Sequence, residues 1–427
     1  MADILFRNVR VLDGSGDQPF LGEVLVQGNR IKRIERGSGS NGSSGITVID
    51  GAGATLMPGM IEAHTHLSWN DQPTLEAIAF MPPEEHTLFT ADIAKRYIDM
   101  GFTSCVGAAA AKPRLDVVIR NAINSGQIPG PRYLANSQEI ATRGGLGDTS
   151  PPHLEYPELS FACLVSGAEE IRAAVRMFIK YGVDLIKLNL SGEEIAGVGA
   201  EETPITDEEV AVAVSEAKRR GKRVCAHARS AESVQMCVRH GVEIIYHASY
   251  ADEQTLDMLE AVKDRHFVAP GLAWLYRTAN DAAAWGINPD SPLAMKYARE
   301  LEIAVETMKK MHRRGIRVLP GGDYGFAWIP HGENAKDLEY FVNMVGMSPM
   351  EAILSTTRLG GEIMGQPGEL GQIKEGYLAD IILVDGDPLA NIRILQERDR
   401  ILAVMKDGAF HRTPDMAAED RSLRWAV

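Results

Sequence analysis

Apolar and polar positions fall into three successive rhythms along the chain, and each predicts a different kind of element. Over roughly residues 1–59 short β-like runs dominate: Ile4-Leu5-Phe6, Val9-Arg10-Val11-Leu12, Val24-Leu25-Val26 and Ile31-Lys32-Arg33-Ile34. They are broken by Asp13-Gly14, Gly28-Asn29 and the polar tract Gly37 to Gly45, which separates two strands of one small sheet and reads as a mobile hairpin loop. From roughly 60 to 364 apolar strands alternate with amphipathic helices. The clearest unit starts at Thr206-Asp207-Glu208-Glu209, a capping box. Val210, Ala213, Val214 and Ala217 then supply an apolar helical face, and Gly221 ends it. Strand Val224-Cys225-Ala226-His227 follows, then a helix capped by Ser230 that runs through Val238 and stops near Gly241. Strand Ile244-Ile245-Tyr246-His247 and a helix from Asp252 to about Asp264 complete the pattern. Parallel strands need crossovers of this kind, so repeated βα units predict a barrel or a doubly wound sheet. From roughly 365 to 427 strands return, strongest at Ala379-Asp380-Ile381-Ile382-Leu383-Val384 and Ile401-Leu402-Ala403-Val404-Met405. A β-rich segment at each end of one βα region predicts that the two ends pair into a single small sheet domain.

Composition narrows the function classes. The chain has 427 residues, 45% hydrophobic and 24% charged, enough for a large core or two domains. A formal net charge of -14 argues against a grip on nucleic acid or anionic lipid. No stretch reaches the roughly 18 apolar residues of a spanning helix. An acid within Met1-Ala2-Asp3-Ile4-Leu5-Phe6-Arg7, with no long apolar run, does not read as a signal peptide. The cysteines Cys105, Cys163, Cys225 and Cys237 are far apart and form no CxxC pair, so the expectation is a reduced, cytoplasmic protein without a disulfide scaffold.

Candidate chemistry sits at strand ends. His64-Thr65-His66 closes the apolar run that begins at Leu56, and residues i and i+2 of a strand face the same side. Two imidazoles there make half a site for a borderline metal such as Zn²⁺, although a surface pair has the same spacing. Lys187 lies within Val183-Asp184-Leu185-Ile186-Lys187-Leu188, where it is either a costly buried ammonium or a strand-end lysine snorkelling to water. His227 and His247 each end a strand, and Asp323 follows the short run Val318-Leu319-Pro320-Gly321-Gly322. Singly, each reads as a satisfied structural residue. Together they place HxH, Lys, His, His and Asp at successive strand ends, which in a barrel share the face where enzyme sites form.

This order resembles the amidohydrolase superfamily, and within it the imidazolonepropionase-like and Xaa-Pro dipeptidase-like branch with a bridged metal pair. The likeness covers essentially the whole chain: the N-terminal strands, Pro58-Gly59-Met60-Ile61-Glu62-Ala63-His64-Thr65-His66, Gly346-Met347-Ser348-Pro349-Met350-Glu351-Ala352-Ile353, and Gly371-Gln372-Ile373-Lys374-Glu375-Gly376-Tyr377-Leu378-Ala379-Asp380. The resemblance implies an α/β fold, a (β/α)8 TIM-like barrel over 60–364 with a small β-sandwich domain formed by 1–59 and 365–427. It implies that His64, His66 and Asp323 hold the more buried of two divalent metal ions, zinc first, with manganese or cobalt as alternatives. Lys187, carboxylated by CO₂, would bridge the ions, and His227 and His247 would hold the second. A bridging hydroxide would attack a scissile carbonyl, with Asp323 taking its proton and passing it to the leaving nitrogen. The implied partners are a small-molecule substrate and further copies of the chain in a homo-oligomer.

Other residues have two readings each. His331, eight residues after Asp323, either contacts substrate or is an ordinary loop histidine. Arg229 either clamps a substrate carboxylate or is a surface arginine. Trp69, Trp274 and Tyr276 wall an apolar pocket or serve packing. Cys225 is expected to fill a deeper layer of the barrel, and Thr142-Arg143-Gly144-Gly145-Leu146-Gly147-Asp148 to form a mobile loop over its mouth. The expected reaction is C–N cleavage of an amide, urea or carbamate, in an N-acyl amino acid, a dipeptide or a xenobiotic such as an arylurea or ochratoxin-like amide. Asn189-Leu190-Ser191-Gly192-Glu193-Glu194 departs from the Ser/Thr-Gly-Gly of dipeptidase members, and Thr142-Arg143-Gly144-Gly145 from their Gly-Gly-His, which leaves room for an uncharged substrate. A mononuclear deaminase is the alternative within the superfamily, but it lacks the lysine and carries a glutamate where Ser230 stands. A non-catalytic scaffold is the alternative outside catalysis, and such proteins have lost the ligands this chain keeps.

Overall fold

The computed structural model describes residues 3–37, 45–153 and 160–414. The polar tract expected to form a hairpin loop lies mostly outside the described residues, which stop at 37 and resume at 45. The chain is mixed α/β. Five strands open it: β1 (Ile4–Val11), β2 (Phe20–Gln27), β3 (Arg30–Arg36), β4 (Thr47–Asp50) and β5 (Thr55–Pro58). β6 (Met60–Thr65), β7 (Phe102–Gly107), β8 (Arg132–Leu134), β9 (Asn136–Thr142), β10 (Cys163–Val165), β11 (Leu185–Asn189), β12 (Arg223–Ala228), β13 (Ile244–His247) and β14 (Phe267–Ala269) are separated by helices or loops, and β15 (Ile381–Val384), β16 (Ile401–Lys406) and β17 (Ala409–Arg412) close the chain.

Strands from both ends share one eight-stranded sheet, ordered β17-β16-β15-β5-β1-β2-β3 with β4 beside β1. The seam between the ends is β5 against β15, antiparallel, with Met57 opposite Ile382 and Leu56 opposite Leu383. Side chains alternate across a strand, so neighbouring apolar residues go to different cores. Leu56, Ile381 and Leu383 join Phe6, Val24 and Met405 in a core of the sheet's own. Met57, Ile382 and Val384 join the main core with Met60 and Phe102. Both faces are buried, and that is why these runs are continuously apolar. The sequence suggests two runs at Ile4–Phe6 and Val9–Leu12, but the structure forms one strand with a bulge between Phe6 and Val9. Asn8 turns the corner at φ +51°, a conformation asparagine tolerates better than most residues.

The parallel strands pair as β6-β7-β8 and as β10-β9-β11-β12-β13-β14. Only Ala135 separates β8 from β9, so one stretch of chain serves both sheets. At the other seam Val268 bridges Val318 in parallel, and the Ala63 amide donates to Pro320. These are isolated bonds rather than a regular ladder, and no closed eight-stranded ladder forms among the described residues. The helices between strands follow their caps. Thr206 and Glu209 form the reciprocal capping box of helix Asp207–Lys218, Ser230 caps Ala231–His240, which ends on left-handed Gly241, and Asp252 caps Glu253–Ala261. Among the described residues no helix is long and apolar enough to cross a membrane.

Arg132 joins the two parts of the fold. From β8 it donates to Asp380 at 3.1 Å and to Asp407 at 2.8 Å, both on the eight-stranded sheet side. Burial raises the Asp380 carboxyl, and Arg132 is the cation that opposes the shift. Arg132→Ala is expected to destabilise by about 2–3 kcal/mol, because it strands a buried carboxylate. Urea unfolding checks this, and a double variant that also carries Asp380→Asn should recover part of the loss.

Candidate active site

Strand geometry brings the six singled-out side chains to one pocket. His64 and His66 project from the end of β6, Lys187 from the middle of β11, His227 from β12, His247 from the last position of β13, and Asp323 from the turn after Val318. All six line a single cavity of about 30 Å³, with Trp69, Leu75, Glu139, Leu146, Glu193, Ile195, Trp274 and Phe326. That space holds a few small species and no more.

Asp323 is the hub. Its Oδ1 lies 3.1 Å from His66 Nε2 and 3.4 Å from His64 Nε2, and its Oδ2 lies 4.0 Å from His247 Nε2. The His227 ring packs 4.4 Å from that of His247. Burial pushes the imidazoles of His64, His227 and His247 well below the ordinary histidine value, and lowers His66 as well, so the neutral rings are favoured.

Two tautomers are fixed by carbonyls. His66 Nδ1–H donates to Ala109 O at 3.2 Å and His227 Nε2–H to Gly192 O at 3.0 Å, which leaves a lone pair on the other nitrogen of each ring. Both nitrogens of His64, Nδ1 of His247 and Oδ1 of Asp323 are buried without a hydrogen-bond partner. Lone pairs facing a carboxylate oxygen at such distances repel each other unless positive charge sits between them. Zinc bonds of about 2.0–2.1 Å place neighbouring donors roughly 3.3 Å apart. The donor set therefore fits a divalent cation. His64, His247 and Asp323 offer three donor atoms within 4.8 Å of one another.

The pocket wall and the layer behind it contain residues that sequence reasoning missed. Glu139 on β9 lies 3.9 Å from Lys187 Nζ and accepts from Asn189 Nδ2 at 2.8 Å. Its only signal is an acid inside a buried strand next to Ile140-Ala141. Tyr246 stacks on His64 at 3.9 Å and places its ring 4.7 Å from Lys187 Nζ. Glu62 shares the His64 side of β6 one layer deeper and accepts from the Gly322 amide at 3.3 Å, while Asp337 accepts from Gly321 at 2.7 Å. Burial raises both acids, Glu62 further because Asp337 is near, and Asp337 up to about 7. Together they anchor the turn that carries Asp323.

Some expected substrate contacts are placed otherwise. Arg229 is fully buried and ion-paired with both Glu193 and Glu300, so its guanidinium is not free to clamp a substrate. His331 uses both ring nitrogens, one 2.7 Å from Asp71 Oδ1 and one donating to His66 O at 2.9 Å; it braces the segment that carries His66 and is absent from the cavity wall. Trp69 does line the cavity, stacked on His66 at 3.6 Å. Tyr276 packs on Tyr340 outside it, whereas Trp274 lines it. Cys225 is buried against Asn136 Nδ2 at 3.0 Å, and the 142–148 loop contributes Leu146 to the wall.

Comparison with known proteins agrees with this architecture. The chain is 25% identical over 381 residues to the ochratoxinase of Aspergillus niger, spanning 84% of this chain and 76% of that protein. A crystal structure of a Xaa-Pro dipeptidase with bound methionine superposes with a TM-score of 0.85 at 28% identity, covering 96% of this chain and 100% of the other. The structure of phenylurea hydrolase B superposes at 0.73 over 96% of each chain, with 20% identity, a likeness of fold. Fold, pocket and relatives define a hydrolase acting on carbon–nitrogen bonds. The Amidohydrolase family profile matches residues 55–410, and the chain belongs to that family.

A methyl group on Gly321 would sit 2.6 Å from His64 Cβ and 3.2 Å from Ala269 Cβ. Gly321→Ala is expected to displace the HxH segment and weaken divalent-metal affinity by about tenfold or more, the scale at which supporting residues act. Isothermal titration with Zn²⁺, paired with circular dichroism to verify folding, measures it.

Proposed function

We propose that this chain hydrolyses the C–N bond of a small-molecule amide, urea or carbamate with two divalent cations, zinc being the best match to a mixed imidazole and carboxylate donor set. The succession of parallel strands, read with the relatives, fits a (β/α)8 barrel whose C-terminal strand ends hold the site, flanked by a β-sandwich domain. The observation that carries the reading is the convergence of three buried imidazoles, those of His64, His66 and His247, on one buried carboxylate whose Oδ1 has no hydrogen-bond partner.

His64, His66 and Asp323 would hold one ion and His227 and His247 the other, with Lys187 between them as a CO₂-derived carbamate. Carboxylation turns a buried ammonium into a bidentate anion, which answers the cost of leaving Lys187 cationic in a sealed pocket. The bound ions would polarise the scissile carbonyl and lower the pKa of water. The chain's own residues do the rest. Asp323 would accept a proton from the attacking water and return it to the departing nitrogen, so the products leave as a carboxylic or carbamic acid and an amine. Neutral histidines keep their lone pairs for the ions, and Tyr246 and Trp69 fix two ring planes by stacking.

A mononuclear deaminase remains the second reading, and Ser230 argues against it. Ser230 is the N-cap of its helix, bonded to the Ser233 amide at 3.1 Å, and offers no acid for proton transfer. Metal analysis of the purified protein separates the readings. Two equivalents per chain are expected; one equivalent would favour the deaminase, and near-zero zinc, manganese or cobalt a non-catalytic scaffold. Incubation with ¹³C-bicarbonate should add one carbamate resonance that Lys187→Ala abolishes, independently of any substrate.

Asp323→Asn is expected to lower kcat by at least about 10³-fold, since it removes proton transfer and a ligand together. The turnover of an aryl amide by the metal-loaded variant reports it.

A further inference from the structure

The ion pocket is too small for a substrate, but a second cavity of about 350 Å³ adjoins it and shares Leu75, Ile195 and Phe326 as common wall. That volume is at the lower end of ordinary ligand sites. Its outer wall is aromatic: Trp285 and Trp328 line it together with Phe326. The rings form an unbroken series from the ligand to the surface. His66 stacks on Trp69 at 3.6 Å, Trp69 meets Phe326 edge-on at 5.1 Å, Phe326 meets Trp328 at 5.3 Å, and Trp328 meets Trp285 at 6.2 Å. Trp285 is 43% exposed while the inner rings are buried, so the series opens to solvent at that end.

Charge along the same route has one sign. Among the described residues that line the vestibule, the titratable side chains are Glu76 and Asp148, both acidic, and there is no lysine or arginine. The arginine that could have served, Arg229, is buried between Glu193 and Glu300. A carboxylate carried into the vestibule would lose hydration and find carboxylates and ring faces, both unfavourable to an anion.

We propose that the vestibule selects the part of the substrate beyond the scissile bond, and that it takes an uncharged aromatic group and rejects one bearing a carboxylate. This rests on the hydrolase reading above and adds the substrate class to it: neutral N-aryl amides and their urea or carbamate equivalents, rather than dipeptides or N-acyl amino acids. Aromatic rings offset against Trp285 and Trp328 supply the affinity, and Glu76 and Asp148 supply the discrimination.

The test is a pair of substrates that differ in one group, 4-methylacetanilide and 4-acetamidobenzoate, assayed with the metal-loaded enzyme. The neutral member is expected to have a kcat/KM at least about tenfold higher, the scale left to like charges where the vestibule is open to water. Trp285→Ala should raise KM for 4-methylacetanilide about tenfold with kcat changed less than about twofold. Glu76→Arg should narrow the gap between the pair about tenfold. Binding of both compounds, followed by tryptophan fluorescence without turnover, separates the two layers of the argument. Preferential binding of the neutral compound without hydrolysis would sustain the vestibule and overturn the hydrolase reading. Hydrolysis with equal or better use of the benzoate would overturn the vestibule and leave the hydrolase reading standing.

Discussion

A carboxylate surrounded by neutral imidazoles and closed off from water is a poor arrangement until positive charge is added. Asp323 faces the lone-pair side of His66 and has His64 and His247 within reach, all of them buried. Desolvation keeps the histidines neutral, so they do not themselves supply that charge. The chain therefore assembles a cluster that folding alone does not satisfy, and the cation that completes it would add stability by mass action. The rest of the molecule is organised to hold this unfinished cluster in place.

The holding is visible in the backbone. His247, Ala248 and Asp323 all have left-handed φ values, +76°, +53° and +65°, each of which costs on the order of 1 kcal/mol or more for a residue with a side chain. Such strain persists only where neighbours over-determine it. Around Asp323 they do: Glu62 and Asp337 accept the amides of the two glycines before it, and Gly321 packs so closely on His64 that no larger residue fits. The eight-stranded sheet takes part as well. β5 runs into β6 through Gly59 alone, and the Gly59 amide donates to Asp380 O at 2.9 Å, so the sheet built from both chain ends aims the strand that carries His64 and His66. His331 and Trp69 then brace His66 from its backbone and from its ring face.

Much of this was legible in the chain because it obeys short-range rules. The caps at Thr206, Ser230 and Asp252 and the stop at Gly241 are local hydrogen-bond chemistry, and the structure has them where the residues predict. HxH spacing fixes two side chains to one face, whatever the tertiary structure. Pairing between the two ends was readable too, from β-rich segments with no other partner. What escaped depends on contacts between distant segments. Glu139 has no local signature, and its proximity to Lys187 exists only once β9 and β11 pair. Arg229 looks like an available cation until the helix carrying Glu300 and the loop carrying Glu193 close on it. His331 was expected in the right neighbourhood, but hydrogen bonds to Asp71 and to His66 O, more than 250 residues away in sequence, decide its role. The Asn8 bulge escaped because a bulge joins two runs that periodicity separates.

Arg229 also shows how a guanidinium beside the inner pocket comes to be withheld from it. Burying a guanidinium demands a counter-ion, and here two are supplied, with Tyr297 donating to Glu193 Oε1 at 2.6 Å as a further partner. Burial raises the Glu193 carboxyl, with Arg229 opposing, and two carboxyl groups share the one guanidinium, so the cluster has no positive charge to spare. Glu193 belongs to the cavity wall, and Ile195, two residues on, is shared with the vestibule. One loop therefore does two things. It locks the arginine away behind His227, whose ring is tied to Gly192 O, and it presents the apolar Ile195 in the wall that the two cavities share. The seven residues from Asn189 to Ile195 thus tie His227 through Gly192 O, bury Arg229 against Glu193 and carry Ile195 into the wall that the two cavities share.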